Sequence, residues 1–121
     1  MEINVSIPGE DNQELIQSMY EWFIYDDEIR TGARIKLVNS RPEPGSMTGG
    51  IELISLLVSS GFNIASLAVA IASWRSSRTP SPIVHVEVLG NIATIDESDH
   101  ETVVIEKVEG VLLAGQEDAD A

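Results

Sequence analysis

From Leu53 to Trp74 the chain carries no Asp, Glu, Lys, Arg or His. A charge-free run of this length either crosses a bilayer as one helix, which takes ~20 residues, or must be covered by the rest of the fold. Its middle weighs between the two. Ser59, Ser60, Gly61 and Asn63 fall at the midpoint, with Ser55, Ser66 and Ser73 to either side, and polar groups cost most at the centre of a membrane. The run therefore reads as two shorter helices that turn near Gly61. The first uses Ile51, Ile54, Leu57 and Val58; the second is capped by Asn63 and carries Ile64, Leu67, Ala68, Ile71 and Trp74. The alternative is a membrane-inserting component acting through residues 53–74, with Arg75 and Arg78 anchoring the end of that segment at the headgroups.

The flanking segments supply a sheet for these helices to cover. Ile3, Val5 and Ile7 alternate with Glu2, Asn4 and Ser6, the period of a half-buried strand, which Pro8-Gly9 ends. Asp11 and Glu14 form a capping box before Leu15, Met19, Trp22 and Phe23, which predicts a helix from about Asp11 to Tyr25 with Trp22 on its apolar face. After the acidic turn Asp26-Asp27-Glu28 and Gly32, residues 33–38 read as a strand with Ile35 and Leu37 inward. The stretch from Asn39 to Gly50 is rich in Ser, Pro and Gly and reads as a long loop.

Past Thr79-Pro80-Ser81-Pro82, residues 83–88 alternate as a strand, and Gly90-Asn91 turns the chain into a second run, Ile92 to Ile95. Ser98 or Asp99 then caps a last helix through Val104, Ile105, Val108, Val111 and Leu112, although Thr102 to Ile105 is also strand-forming. These elements make an α+β fold in the order βα-β-αα-ββ-α, with a sheet of about four strands packed by helices. A single domain over residues 1–114 and an acidic flexible tail over 115–121 complete the reading.

Charge narrows the partners. Twenty acidic side chains against seven basic ones leave a formal charge of -13, whose field repels phosphate backbones and anionic lipid, so nucleic acid is not expected as a partner and membrane is disfavoured. The absence of cysteine excludes disulfides, thiolate nucleophiles and Cys-based zinc sites. The opening residues Met1-Glu2-Ile3-Asn4-Val5 lack the basic and apolar regions of a secretory signal, which gives cytoplasmic residence as the expectation.

Catalytic chemistry finds no constellation here. His85 lies on the polar side of an alternating strand, and His100, among Asp96, Glu97, Asp99 and Glu101, matches no metal-ligand spacing. No Gly-x-Ser-x-Gly elbow occurs, and Gly45-Ser46-Met47-Thr48-Gly49-Gly50 lacks the lysine of a phosphate loop. No catalytic, metal or cofactor residues are assigned.

Three places carry a resemblance to a known family. They are Tyr20-Glu21-Trp22 with the following strand Arg34-Ile35-Lys36-Leu37-Val38, the loop Pro42-Glu43-Pro44-Gly45-Ser46-Met47, and the small-residue run ending Ser73-Trp74-Arg75 before Val84-His85-Val86-Glu87-Val88. Their order and spacing, over roughly residues 2–97, resemble the effector-associated constant component family, first class, of bacterial conflict systems. The resemblance implies a non-catalytic accessory or adaptor protein that binds or regulates a partner effector, such as a caspase-like or trypsin-like peptidase in antiviral defence. The acidic last helix and tail depart from the more basic end that the resemblance would suggest. Partner contact is expected at the loop residues Arg41, Pro42, Glu43, Pro44, Gly45 and Met47, and at an exposed small-residue face around Ser66 and Ala70. Small residues four apart, Ser66 with Ala70 and Ala68 with Ala72, let another helix approach closely, within the fold or in a homo-oligomer.

Overall fold

The computed structural model describes residues 1–8, 13–39, 51–59, 61–78 and 81–120. Its elements are β1 (Glu2–Ser6), α1 (Gln13–Ile24), α2 (Asp27–Gly32), β2 (Ala33–Asn39), β3 (Ile51–Val58), α3 (Ile64–Ser76), β4 (Val84–Val88), β5 (Asn91–Ile95) and α4 (Glu101–Asp120). The fold is α+β as expected, with one strand more than the four anticipated.

The strands form one antiparallel sheet in the order β2-β3-β1-β4-β5. Register explains which residues share a face. Ile3 opposes Leu56 and Val5 opposes both Ile54 and Val86, and all five are fully buried. Their neighbours Glu2, Asn4, Ser55, Leu57, His85 and Glu87 fall on the other side by the strict alternation of a strand. α1 packs on β2 and β3, α4 packs on β4 and β5, and α3 lies against both helices. Trp74, Phe23, Ile71, Leu67 and Leu112 are buried in the core that results.

The main correction falls on residues 51–58, expected as a helix. They form β3, paired to β2 on one side and β1 on the other. Ile54, Leu56 and Val58 point into the core while Leu57 is half exposed, so the segment is apolar on both faces and its period is masked. Pairing with β2 along the strand and with β1 over Ile54 to Leu57 wins over the helical pattern, because it puts Ile54, Leu56 and Val58 on the buried face of the sheet. Consequently the uncharged run is a strand and a helix joined through Gly61, whose φ of 89° suits the turn. No helix among the described residues is long and apolar enough to cross a membrane, so none supports the membrane-inserting alternative.

α3 itself follows the sequence. Asn63 accepts from the Ala65 amide at 3.1 Å as its N-cap, and Leu67, Ala68, Ile71 and Trp74 are buried. Arg75, which the membrane-inserting alternative would place at the headgroups, is a buried clamp. Its guanidinium donates to the carbonyls of Pro82 at 2.9 Å, Asp96 at 2.7 Å and Asp99 at 3.4 Å, tying α3 to the approaches of β4 and α4. Burial pulls this guanidinium below its ordinary pKa, opposed by the nearby carboxylates of Asp99 and Asp96.

Two boundaries shift. The β4–β5 turn is Leu89-Gly90, with φ of 49° and 85°, rather than Gly90-Asn91; both central residues are left-handed, as the two-residue turn matched to strand twist demands. α4 runs to Asp120, past the expected boundary at 114, and Gly115 is buried where it meets Val88 and Met1.

Candidate functional site

The acidic segment Asp26-Asp27-Glu28, read from sequence as a turn, begins a second helix. Asp26 is its N-cap, with Oδ1 accepting from the amides of Glu28 at 3.0 Å and Ile29 at 3.2 Å. Two of the four amides left open at a helix start are thereby satisfied, and Ile29 is driven into the core. Asp27 pairs with Arg30 at 2.7 Å, and the Ser66 hydroxyl of α3 donates to the Glu28 carboxylate.

Around this cap lie two open hollows that meet at Asp26. One, of about 490 Å³, is lined by Asp26, Asp27, Glu28, Asn63, Ala65, Ser66 and Val69. The other, of about 530 Å³, is lined by Ser18, Glu21, Trp22, Tyr25 and Asp26. Trp22 is 40% exposed, Tyr25 81% and Val69 46%, so the rims bring three large apolar side chains to solvent around the carboxylates of Glu21, Asp26, Asp27 and Glu28. Exposed aromatic residues on a fixed scaffold are a recurrent anchor of protein interfaces.

The fold holds the aromatic side of this surface rigidly. α1 buries Ile16, Met19 and Phe23 completely. At 100° per residue Trp22 falls about 90° round the helix from the middle of that stripe, beside Ser18 and Tyr25. Trp22 was expected as a core anchor and is not one; Trp74, expected likewise, is fully buried. Its indole Nε1 donates to Ser18 Oγ at 3.2 Å, and Arg78 both donates to Ser18 and stacks over the Trp74 ring at 5.2 Å.

The residues singled out from sequence divide. Arg41, Pro42, Glu43, Pro44, Gly45 and Met47 lie outside the described residues. Ser66 lines the hollow beside Glu28 and is half-buried. Ala70, expected on an exposed face with it, is only 3% exposed. α3 is flanked by α4 and α1, so the side of it left to solvent runs through Ala65 and Val69 instead. Ala68 and Ala72 are also buried, which places the small-residue spacing inside the fold. Trp22 and Tyr25 were missed; a helical wheel centred on Ile16, rather than on Leu15, would have set Trp22 at the edge of the buried stripe.

The second acidic cluster is structural. Asp99 Oδ2 accepts from Lys107 at 2.7 Å and from the Asp96 amide at 2.8 Å, and these two hydrogen bonds, Lys107 first, hold its carboxyl below the usual range. His100 is exposed, and its carbonyl accepts the first-turn amide of Val104. Among the described residues no three His, Asp or Glu side chains are grouped to hold a metal.

Residues 8–111 match the family described as Effector Associated Constant Component 1. No curated protein and no solved structure matches the chain.

Proposed function

Because the chain belongs to the Effector Associated Constant Component 1 family, an effector-associated component of conflict systems, we propose that it is a non-catalytic accessory or adaptor protein that binds or regulates a partner effector. The observation that carries this reading is the family match across most of the chain. Trp22, Tyr25 and Val69, exposed around the Asp26 cap, support it by supplying a rigid apolar surface of the kind partners bury. A caspase-like or trypsin-like peptidase is the proposed effector, and antiviral defence the proposed setting.

The test is affinity purification of the tagged chain from its native cells, with mass spectrometry of what remains bound. A peptidase recovered in stoichiometric amount, whose cleavage rate changes when the purified chain is added, is the expected result. Recovery of the chain alone, or turnover of a substrate by the chain unaided, overturns the reading.

A further inference from the structure

We propose that the hollow formed by Ser18, Glu21, Trp22, Tyr25 and Asp26 is a docking groove for a basic, arginine-bearing segment of the partner protein. This rests on the accessory role above and adds the chemistry of what the surface takes. The first observation is apolar. Trp22 in the last turn of α1 and Tyr25 just after it are both exposed, beside a helix whose buried stripe is locked into the core by Ile16, Met19 and Phe23. The packing of that stripe fixes the backbone that carries the two rings, so covering them orders side chains alone.

The second observation is the charge around the rings. The Glu21 carboxylate has no hydrogen-bond or ion-pair partner among the described residues. Asp26 uses Oδ1 for its capping bonds and leaves Oδ2 without a protein partner among them. Asp27 and Glu28 follow immediately. Of the cations nearby, Arg30 is paired to Asp27, while Arg78 lies over the Trp74 ring and donates to the Ser18 hydroxyl, with no carboxylate partner among the described residues. An acidic partner would bring like charge onto uncompensated carboxylates, whereas a cation is attracted by both the carboxylates and the ring faces.

Arginine fits this pairing better than lysine. A planar guanidinium can lie on an indole or phenol face and still present its edge to a carboxylate, while an ammonium is a compact and strongly hydrated charge. Within the fold, Arg78 already packs over the Trp74 ring while bonding the Ser18 hydroxyl, on the same helix that carries Trp22. The hollow offers an intermolecular version of that arrangement, with Glu21 and Asp26 in place of the hydroxyl.

The test uses the full chain and two synthetic alanine-based peptides, one with arginine at every fourth position and one with lysine there. Binding is read by calorimetry and by amide shifts in NMR spectra. The arginine peptide is expected to bind more tightly than its lysine twin and to move the amides of Ser18, Glu21, Trp22, Tyr25 and Asp26. Trp22→Ala with Tyr25→Ala, and separately Glu21→Gln with Asp26→Asn, should each weaken it by about tenfold or more. The second pair keeps an N-cap side chain, so it guards against a folding defect in the first. Glu97→Gln with Glu101→Gln, which removes the same charge from side chains outside the hollow, should weaken binding by less than about twofold.

Equal losses in all three pairs would mean diffuse attraction to an acidic protein, and equal binding of the two peptides would exclude guanidinium stacking; either overturns the proposal. So would a dimer, or flotation with phosphatidylcholine vesicles, that Trp22→Ala abolishes, since a second copy or lipid would then own the surface. If the wild-type chain captures its effector and the aromatic double variant captures it equally well, the groove is wrong and the accessory role stands. A wild-type chain that captures no effector removes the role itself.

Discussion

Two glycines of α4 should respond in opposite directions to the same added methyl group. A Cβ built on Gly110 meets no heavy atom within 4 Å. There Gly110→Ala should stabilise the protein by about 0.5–1 kcal/mol, because alanine has less backbone freedom to lose in a helix. A Cβ built on Gly115 falls into the space of Val88 Cγ1, 3.1 Å from Val88 Cβ and 3.5 Å from Met1 Sδ. Val88 is fully buried in the sheet, and a β-branched side chain has few rotamers with which to step aside. Overpacking of this kind costs about 1–3 kcal/mol. Set against the propensity gain, Gly115→Ala should be destabilised by up to about 2.5 kcal/mol. Urea unfolding followed by circular dichroism reads both changes, and in a domain of this size each kcal/mol moves Tm by about 4 °C. Val88→Ala in the Gly115→Ala background should recover part of the loss, giving a coupling of about 1 kcal/mol in a double-mutant cycle. Stabilisation at both glycines, or zero coupling, would refute the close approach of α4 to β4.

Other perturbations test other parts of the fold. Leu67→Ala should cost about 2–5 kcal/mol in chemical denaturation, since the side chain is fully buried. Arg75→Lys should lose about 1.5–3 kcal/mol in the same assay, because a single ammonium cannot reach the three carbonyls that the guanidinium fork serves. Leu89→Asn should raise stability by about 0.5–1 kcal/mol by relieving a left-handed leucine at φ 49°. For Asp99 the folded carboxyl is depressed below its ordinary value of 3.8, so its contribution is fully present above that value and is lost as the pH falls through the lower folded value. Urea midpoints of the wild type and Asp99→Asn should therefore differ at neutral pH and converge in strong acid.

Sequence periodicity located the elements whose two faces differ. β1, β2 and β4 alternate apolar with polar residues, and Asn63 marks the start of α3 by a capping bond that the structure contains. Residues 51–58 fail this test for a physical reason. β3 is a central strand, and its outward positions include Leu53 and Leu57 beside Ser55, so neither period of 2 nor of 3.6 stands out. What selects the strand is pairing with β1 and β2, contacts made by residues far apart in the chain, and no local window contains them. The clamp made by Arg75 was not legible on similar grounds, because the three carbonyls that hold it come from residues seven to twenty-four positions away.

The candidate site was hidden by a break between helices rather than by tertiary pairing. α1 ends at Ile24 and α2 begins at Asp27, with Tyr25 and Asp26 in the turn between them. Three consecutive acidic residues look like a solvated loop, yet Asp26 caps and Asp27 and Glu28 fill the first turn, where negative charge favours a helix. Restarting the helix there sends Ile29 inward and leaves Tyr25 outside with Trp22. Had α1 continued unbroken at 100° per residue, residue 25 would still have pointed away from the buried stripe, but no carboxylate cap would sit between its ring and Val69. The break therefore joins an aromatic pair on one helix to an apolar residue on another through a shared acid. A partner that reads both features must carry apolar and cationic groups close together, which is a stricter demand than net charge alone imposes.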